Sequence, residues 1–172
     1  MLYGERHFVN RKSLVATLKS QCGGRFVYGQ LRDGESCSYV EVFSDPNASG
    51  SYGITENGYW CSVFSPNIAE VRGPNHERTM FRILDSSLAE FLEAAKKGLL
   101  EIGMPKSALL TFPFDEVLIA ALDSTWRDLA LKWIKQGYPM NDEMLLVLCK
   151  NDKQSPVWLK AHKERLSGVL GI

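Results

Sequence analysis

Residues 25–43 read RFVYGQLRDGESCSYVEVF. Phe26, Val27 and Tyr28 favour a strand, and Asp33-Gly34 is a hairpin dipeptide, because glycine reaches the positive φ that tight hairpin turns demand. Glu35 to Phe43 returns as the second strand, rich in β-branched and aromatic residues. An antiparallel hairpin is therefore expected here. A second follows from Asn57-Gly58, placed between Tyr52-Gly53-Ile54-Thr55 and Tyr59 to Phe64. Ser44 to Gly53 and Ser65 to Asn75 are rich in Ser, Gly, Asn, Asp and Pro and read as loops. Arg78 to Leu84 alternates and is expected to be a last strand.

Helices flank this β region. Asn10 to Cys22 is expected to be a helix capped by Asn10, with Leu14, Val15 and Leu18 on one face and Gly23-Gly24 as its stop. Ser87-Leu88-Ala89-Glu90 is a capping box opening another helix, which Gly98 should end. Gly103 to Pro113 reads as a connector. Four short helices are expected beyond it: Asp115 to Leu122, Trp126 to Gln136 after a Ser124 or Thr125 cap, Asp142 to Lys150 after Asn141, and Pro156 to Leu166 after Ser155. Strands early and helices late argue for an α+β fold. The expected architecture is a mostly antiparallel sheet of four to five strands with two packing helices, followed by a C-terminal bundle of short helices. One domain over 1–172 is expected, with an α+β sheet portion over 1–103 and a helical portion over 104–172.

Composition narrows the classes. The chain has 172 residues, 45% hydrophobic and 23% charged, which suits a folded domain rather than a disordered one. Net charge is zero, so a nucleic-acid partner is not expected. No apolar run reaches the ~18 residues of a membrane span, and Met1 to His7 lacks a signal pattern. A cytoplasmic location is expected. Cys22, Cys37, Cys61 and Cys149 form no Cys-x-x-Cys pair and read as reduced, packed thiols.

Chemistry-bearing motifs are absent from the sequence. His7, His76 and His162 are not linked to a nucleophile by any local pattern. Metal-ligand spacing is missing, and Ser49-Gly50-Ser51-Tyr52-Gly53 lacks the Lys-Ser/Thr of a phosphate loop. No catalytic residue, metal or cofactor is expected. An alternative is a small hydrolase or transferase whose site assembles in space, from Cys37 or Cys61 with His76. Another is an adaptor subunit of a larger complex.

One block departs from the balanced background. From Asp33 to Val71 there is no Lys or Arg, while Asp33, Glu35, Glu41, Asp45, Glu56 and Glu70 fall in that stretch. Tyr39, Tyr52, Tyr59 and Trp60 are interleaved with the acids. A surface of one sign steers an oppositely charged partner, and aromatic side chains supply contact area at low entropic cost. The expected partner-binding residues are Asp33, Glu35, Glu41, Asp45, Glu56, Tyr52, Tyr59 and Trp60, and the expected partner is a basic protein such as a nuclease. Solubility alone is the competing account of such acids, and core packing that of the aromatics.

An acidic β half followed by short helices, including Trp126-Arg127-Asp128-Leu129-Ala130-Leu131-Lys132-Trp133 and Trp158-Leu159-Lys160-Ala161-His162, resembles bacterial toxin-immunity proteins, among them those of contact-dependent growth inhibition. The resemblance implies a cytosolic inhibitor that occludes a toxin's active site. It carries no residue-level role over to this chain.

Overall fold

The structure, a computed structural model, describes residues 11–31, 33–45, 50–64, 66–72 and 76–150. It opens with helix α1, Arg11–Cys22, whose buried residues Leu14, Leu18 and Cys22 recur every four positions and so share one face. A 3-10 turn, Gly23–Arg25, leads into five strands: β1 Val27–Gln30, β2 Ser36–Ser44, β3 Ser51–Thr55, β4 Trp60–Phe64 and β5 Asn67–Glu70. Both hairpins read from the sequence form. Gly34 and Gly58 take φ of 86° and 79° at their tips, and the Gly58 N–H donates to the Thr55 carbonyl at 2.8 Å.

The sheet is an antiparallel meander that closes on itself as a barrel. The α+β class and the mostly antiparallel sheet of four to five strands expected above are present, but the sheet is a closed barrel and not a plain sheet. The closing pair is parallel and short, joining Gln30 of β1 to Asn67 of β5. The strand that closes the barrel, β5, lies inside the stretch expected to be a loop. It is four residues long and follows Pro66, too brief for a periodic pattern to register.

Two hydrophobic clusters divide the faces of the sheet. Leu31, Cys37, Tyr39, Cys61, Val63 and Ile68 fill the inside of the barrel. The bore is tight: a Cβ on Gly29 would sit 2.8 Å from Ile68 Cγ2, and one on Gly53 2.6 Å from the Val40 carbonyl oxygen. The outer face presents Val40, Ile54, Tyr52 and Trp60 to the helices in a larger shared core. Trp60 lies edge-on to Phe112 at 5.1 Å and donates its indole N–H to Thr111 Oγ1 at 3.0 Å.

The expected strand over Arg78 to Leu84 is instead part of a 3-10 helix, Glu77–Asp85. Its buried residues Met80, Phe81, Ile83 and Leu84 fall in pairs three apart, the period of a 3-10 helix and not of a strand. Helix α2, Leu88–Glu101, starts at the capping box: Glu90 N–H donates to Ser87 Oγ at 3.2 Å and Ser87 N–H to Glu90 Oε2 at 2.8 Å. The expectation that Gly98 stops this helix is wrong. Gly98 is an internal packing position, where a Cβ would lie 2.0 Å from the Val42 carbonyl oxygen of β2. The stop is Gly103, at φ 82°. There the Met104 and Gly103 N–H groups reach back to Leu99 and Leu100 in a Schellman closure.

A 3-10 run, Lys106–Thr111, occupies the expected connector. Helices α3 Phe114–Leu122, α4 Arg127–Lys135 and α5 Asp142–Lys150 follow. Asn141 caps α5 through Met144 N–H at 2.9 Å, and Gly137 ends α4 at φ 104°. Ser124 orders the turn before α4, accepting from Trp126 N–H at 3.1 Å, without capping the helix itself. The helix expected over Pro156 to Leu166 and the cap expected at Asn10 lie outside the described residues. Among the described residues, no helix is long and apolar enough to cross a membrane.

Candidate functional site

The acids of the base-free stretch separate into distinct environments. Asp33, Glu35 and Glu41 are exposed. Asp33 Oδ1 accepts the Glu35 N–H at 3.0 Å and so shapes the β1–β2 turn. Glu41 stands on β2 and accepts from Ser44 Oγ at 3.2 Å. Glu56 is half-buried in the β3–β4 turn, where Oε1 accepts the Ser38 N–H at 3.1 Å. Asp45 and Glu70 are buried, each for its own reason. Asp45 accepts from Ser86 Oγ at 3.2 Å at the start of the helical part. Glu70 points into the barrel.

Strand order places Asp33, Glu35, Glu56 and Glu70 around one rim. The β1–β2 and β3–β4 turns lie side by side there, since Glu56 N–H donates to the Ser38 carbonyl at 2.8 Å. The last residue of β5, Glu70, pairs with Cys61 near the start of β4 on the same side. Glu41 lies further along β2, opposite Gly53, and Asp45 lies past its far end. The acidic block thus makes a partial rim and not one uniform surface.

The aromatics divide as well. Trp60 and Tyr52 are core residues, 2% and 3% exposed, so they offer no anchoring area to a partner; this corrects their expected role. Tyr52 stacks on Phe43 with ring centres 5.1 Å apart, and burial, reinforced by Asp45 and Asp85, pushes its phenol well above the usual value. Tyr59 alone of the three remains partly exposed. Its hydroxyl accepts from Arg11 Nη1 at 2.8 Å, and the Arg11 and Arg72 guanidinium carbons lie 4.1 and 5.7 Å from its ring centre.

Two arginines from outside the base-free stretch therefore reach its rim, which sequence distance concealed. Arg72 forms an ion pair with Glu70, and the field of Asp33 also reaches it. Arg11 is held on Tyr59. Arg32, beside Asp33 in the chain, lies outside the described residues.

Inside the barrel, the Cys37 thiol donates to Glu70 Oε1 at 3.6 Å. Burial and then the Glu70 charge push the Cys37 thiol up to about 11. The Cys61 thiol is raised by the same causes, burial first. Both are held protonated near neutral pH, the opposite of an activated nucleophile. His76 lies among the described residues, and its Nδ1 accepts the Arg72 N–H at 3.4 Å; no hydrogen bond among the described residues links it to either thiol. The described cysteines are free, three of them buried and Cys149 exposed.

An open cleft of about 360 Å³ lies between α1 and the barrel, lined by Lys19, Gly23, Phe26, Ser38 and Glu56. Among the described residues, no group of three or more His, Cys, Asp or Glu could hold a metal ion.

Sequence reasoning missed the exposed apolar residues Val27, Tyr28 and Phe64 of the barrel, 54%, 82% and 45% exposed. Two adjacent apolar residues in a half-buried strand cannot both face inward, and that was the available signal at Val27 and Tyr28. No protein-family model matches the chain, and no curated protein or solved structure is significantly similar to it. What fold and site define is a small closed β-barrel, one outer face sunk in helices and one rim rich in carboxylates.

Proposed function

We propose that this chain is a non-enzymatic cytosolic binding protein of the inhibitor or immunity type, which takes a basic protein partner on the acidic side of its barrel. The observation that carries the reading is the exposure of Asp33 and Glu35 on one rim, with Glu41 exposed further along β2, in a stretch without Lys or Arg. Of the arginines that approach the rim, Arg72 is paired with Glu70, and Arg11 rests on neutral Tyr59 and keeps its charge, which weakens the field there. Tyr59 lies beside this rim and is the anchor in place of Tyr52 and Trp60. Carboxylates steer the partner, and the bound barrel covers the phosphate-gripping cations that a nuclease would need.

Charge acts mostly on the rate of encounter. With the basic partner co-purified from the native host, Glu35→Lys together with Glu41→Lys should slow association about tenfold at low salt and change little at high salt. Stopped-flow association measures this. Absence of any basic partner, or an association rate indifferent to both reversals, would sink the reading.

A further inference from the structure

Among the described residues, the barrel closes at one corner of β1. Gln30 N–H donates to the Pro66 carbonyl at 3.0 Å across the seam, and Gln30–Asn67 is the sole pair of that ladder among the described residues. Backbone groups of a strand alternate sides, so the N–H and C=O of Tyr28 point out of the same edge as those of Gln30. Continuing the parallel ladder by one step would bring the Tyr28 carbonyl to the N–H of residue 66. That residue is proline and has none. The seam ends there for a chemical reason.

Among the described residues, this edge beside Tyr28 carries none of the usual guards. β1 reads Val27-Tyr28-Gly29-Gln30, without lysine, proline or bulge. Val27 and Tyr28, on opposite faces of the strand, are 54% and 82% exposed. Phe64, 45% exposed, ends β4 opposite Asn67, the same residue that meets Gln30. Among the described residues, apolar side chains thus flank the outward backbone groups of Tyr28, which have no strand partner, with Asp33 and Glu35 exposed in the turn beyond the seam.

From these features we infer that β1 is a strand-addition site, where an extended, lysine- or arginine-bearing segment of the protein partner pairs with Tyr28. Main-chain hydrogen bonds to Tyr28 supply the register. The Tyr28 and Phe64 rings take the apolar side chains of the incoming strand, and Asp33 and Glu35, in the turn beyond the seam, draw its cations through their field. A second copy of this chain is the weaker occupant, because a four-residue strand offers far less than the ~1,000 Å² that a stable interface buries. The inference rests on the binding reading above and names the chemistry of the segment that binds.

The test uses the full chain and three synthetic peptides: one alternating lysine and valine, its glutamate–valine counterpart, and the lysine–valine peptide with N-methylated amides. The lysine–valine peptide should slow exchange of the Tyr28 amide at least tenfold, and the other two should bind at least tenfold more weakly. Tyr28→Pro removes both the outward-pointing N–H, which an edge tolerates, and the ring, and should abolish the protection of neighbouring amides and the binding. Tyr28→Lys leaves the backbone intact and should weaken the basic peptide at least tenfold if the proline variant does not fold. No binding by the lysine–valine peptide, equal binding by either control peptide, or an unprotected Tyr28 amide in the bound state overturns the inference. For the co-purified partner, slower association on the Glu35→Lys and Glu41→Lys reversals with Tyr28→Pro neutral sinks strand addition and leaves the charge reading standing. The converse sinks the charge reading.

Discussion

Glu70 carries its carboxylate into the barrel, its side chain 2% exposed, and Arg72 is the cation that meets it. Removing one member of such a pair leaves a buried charge uncompensated, which costs more than the pair contributes. Arg72→Ala should therefore destabilise the fold by about 2–4 kcal/mol, discounted because Arg72 is partly in solvent. Adding Glu70→Gln should return most of that loss; urea denaturation of the single and double variants decides it. The thiols give a second prediction. Near pH 8, iodoacetamide should modify exposed Cys149 and spare Cys22, Cys37 and Cys61, as read by mass spectrometry. Cys37 sits above the ordinary thiol value of 9.0, at about 11, so the folded state keeps a proton that the unfolded chain releases in that interval. Its contribution to stability is whole below pH 9.0 and is lost as pH climbs to about 11. Denaturation midpoints across that range should fall, and in Cys37→Ala they should fall less.

Helix α2 shows at the level of elements what local sequence can and cannot specify. Ser87 and Glu90 announce its start because a capping box is a contact between residues three apart, and Ser87→Ala should cost about 1 kcal/mol. Its end was misplaced because glycine has two uses that look alike in sequence. Gly103 supplies a left-handed turn, whereas Gly98 clears space for β2. Gly98→Ala must push α2 off the Val42 carbonyl and should cost about 2 kcal/mol or more, although alanine favours helices. Thermal denaturation checks both variants, and a neutral Gly98→Ala would contradict the packing. Both hairpins were legible because Asp33-Gly34 and Asn57-Gly58 encode turns directly. The run over Glu77–Asp85 was not, since Met80, Phe81, Ile83 and Leu84 satisfy a loose reading of alternation as well as a period of three.

At the scale of the whole molecule, closure of the barrel was invisible to sequence because among the described residues it depends on one pair, Gln30 with Asn67, far apart in the chain. The candidate site was legible to the same extent. Its exposed acids Asp33, Glu35 and Glu41 could be named from composition, whereas the burial of Asp45, Tyr52 and Trp60 follows from helices that arrive later in the chain. The arginines drawn onto Tyr59 and Glu70 likewise come from outside the block. Neutralising them should sharpen the acidic rim: Arg11→Gln should raise the association rate of a basic partner by a few-fold at low salt, measured by stopped flow.

The strands serve two separate apolar interiors, and buried sulfur sits in each. Cys22 belongs to the large interior shared with the helices, Cys37 and Cys61 to the small one inside the barrel. The protein thus contains natural clocks for partial opening. If the barrel breathes while the helical side stays shut, a thiol reagent in mild denaturant will trap Cys37 and Cys61 long before Cys22. Simultaneous trapping of all three would mean that the molecule opens as one cooperative unit.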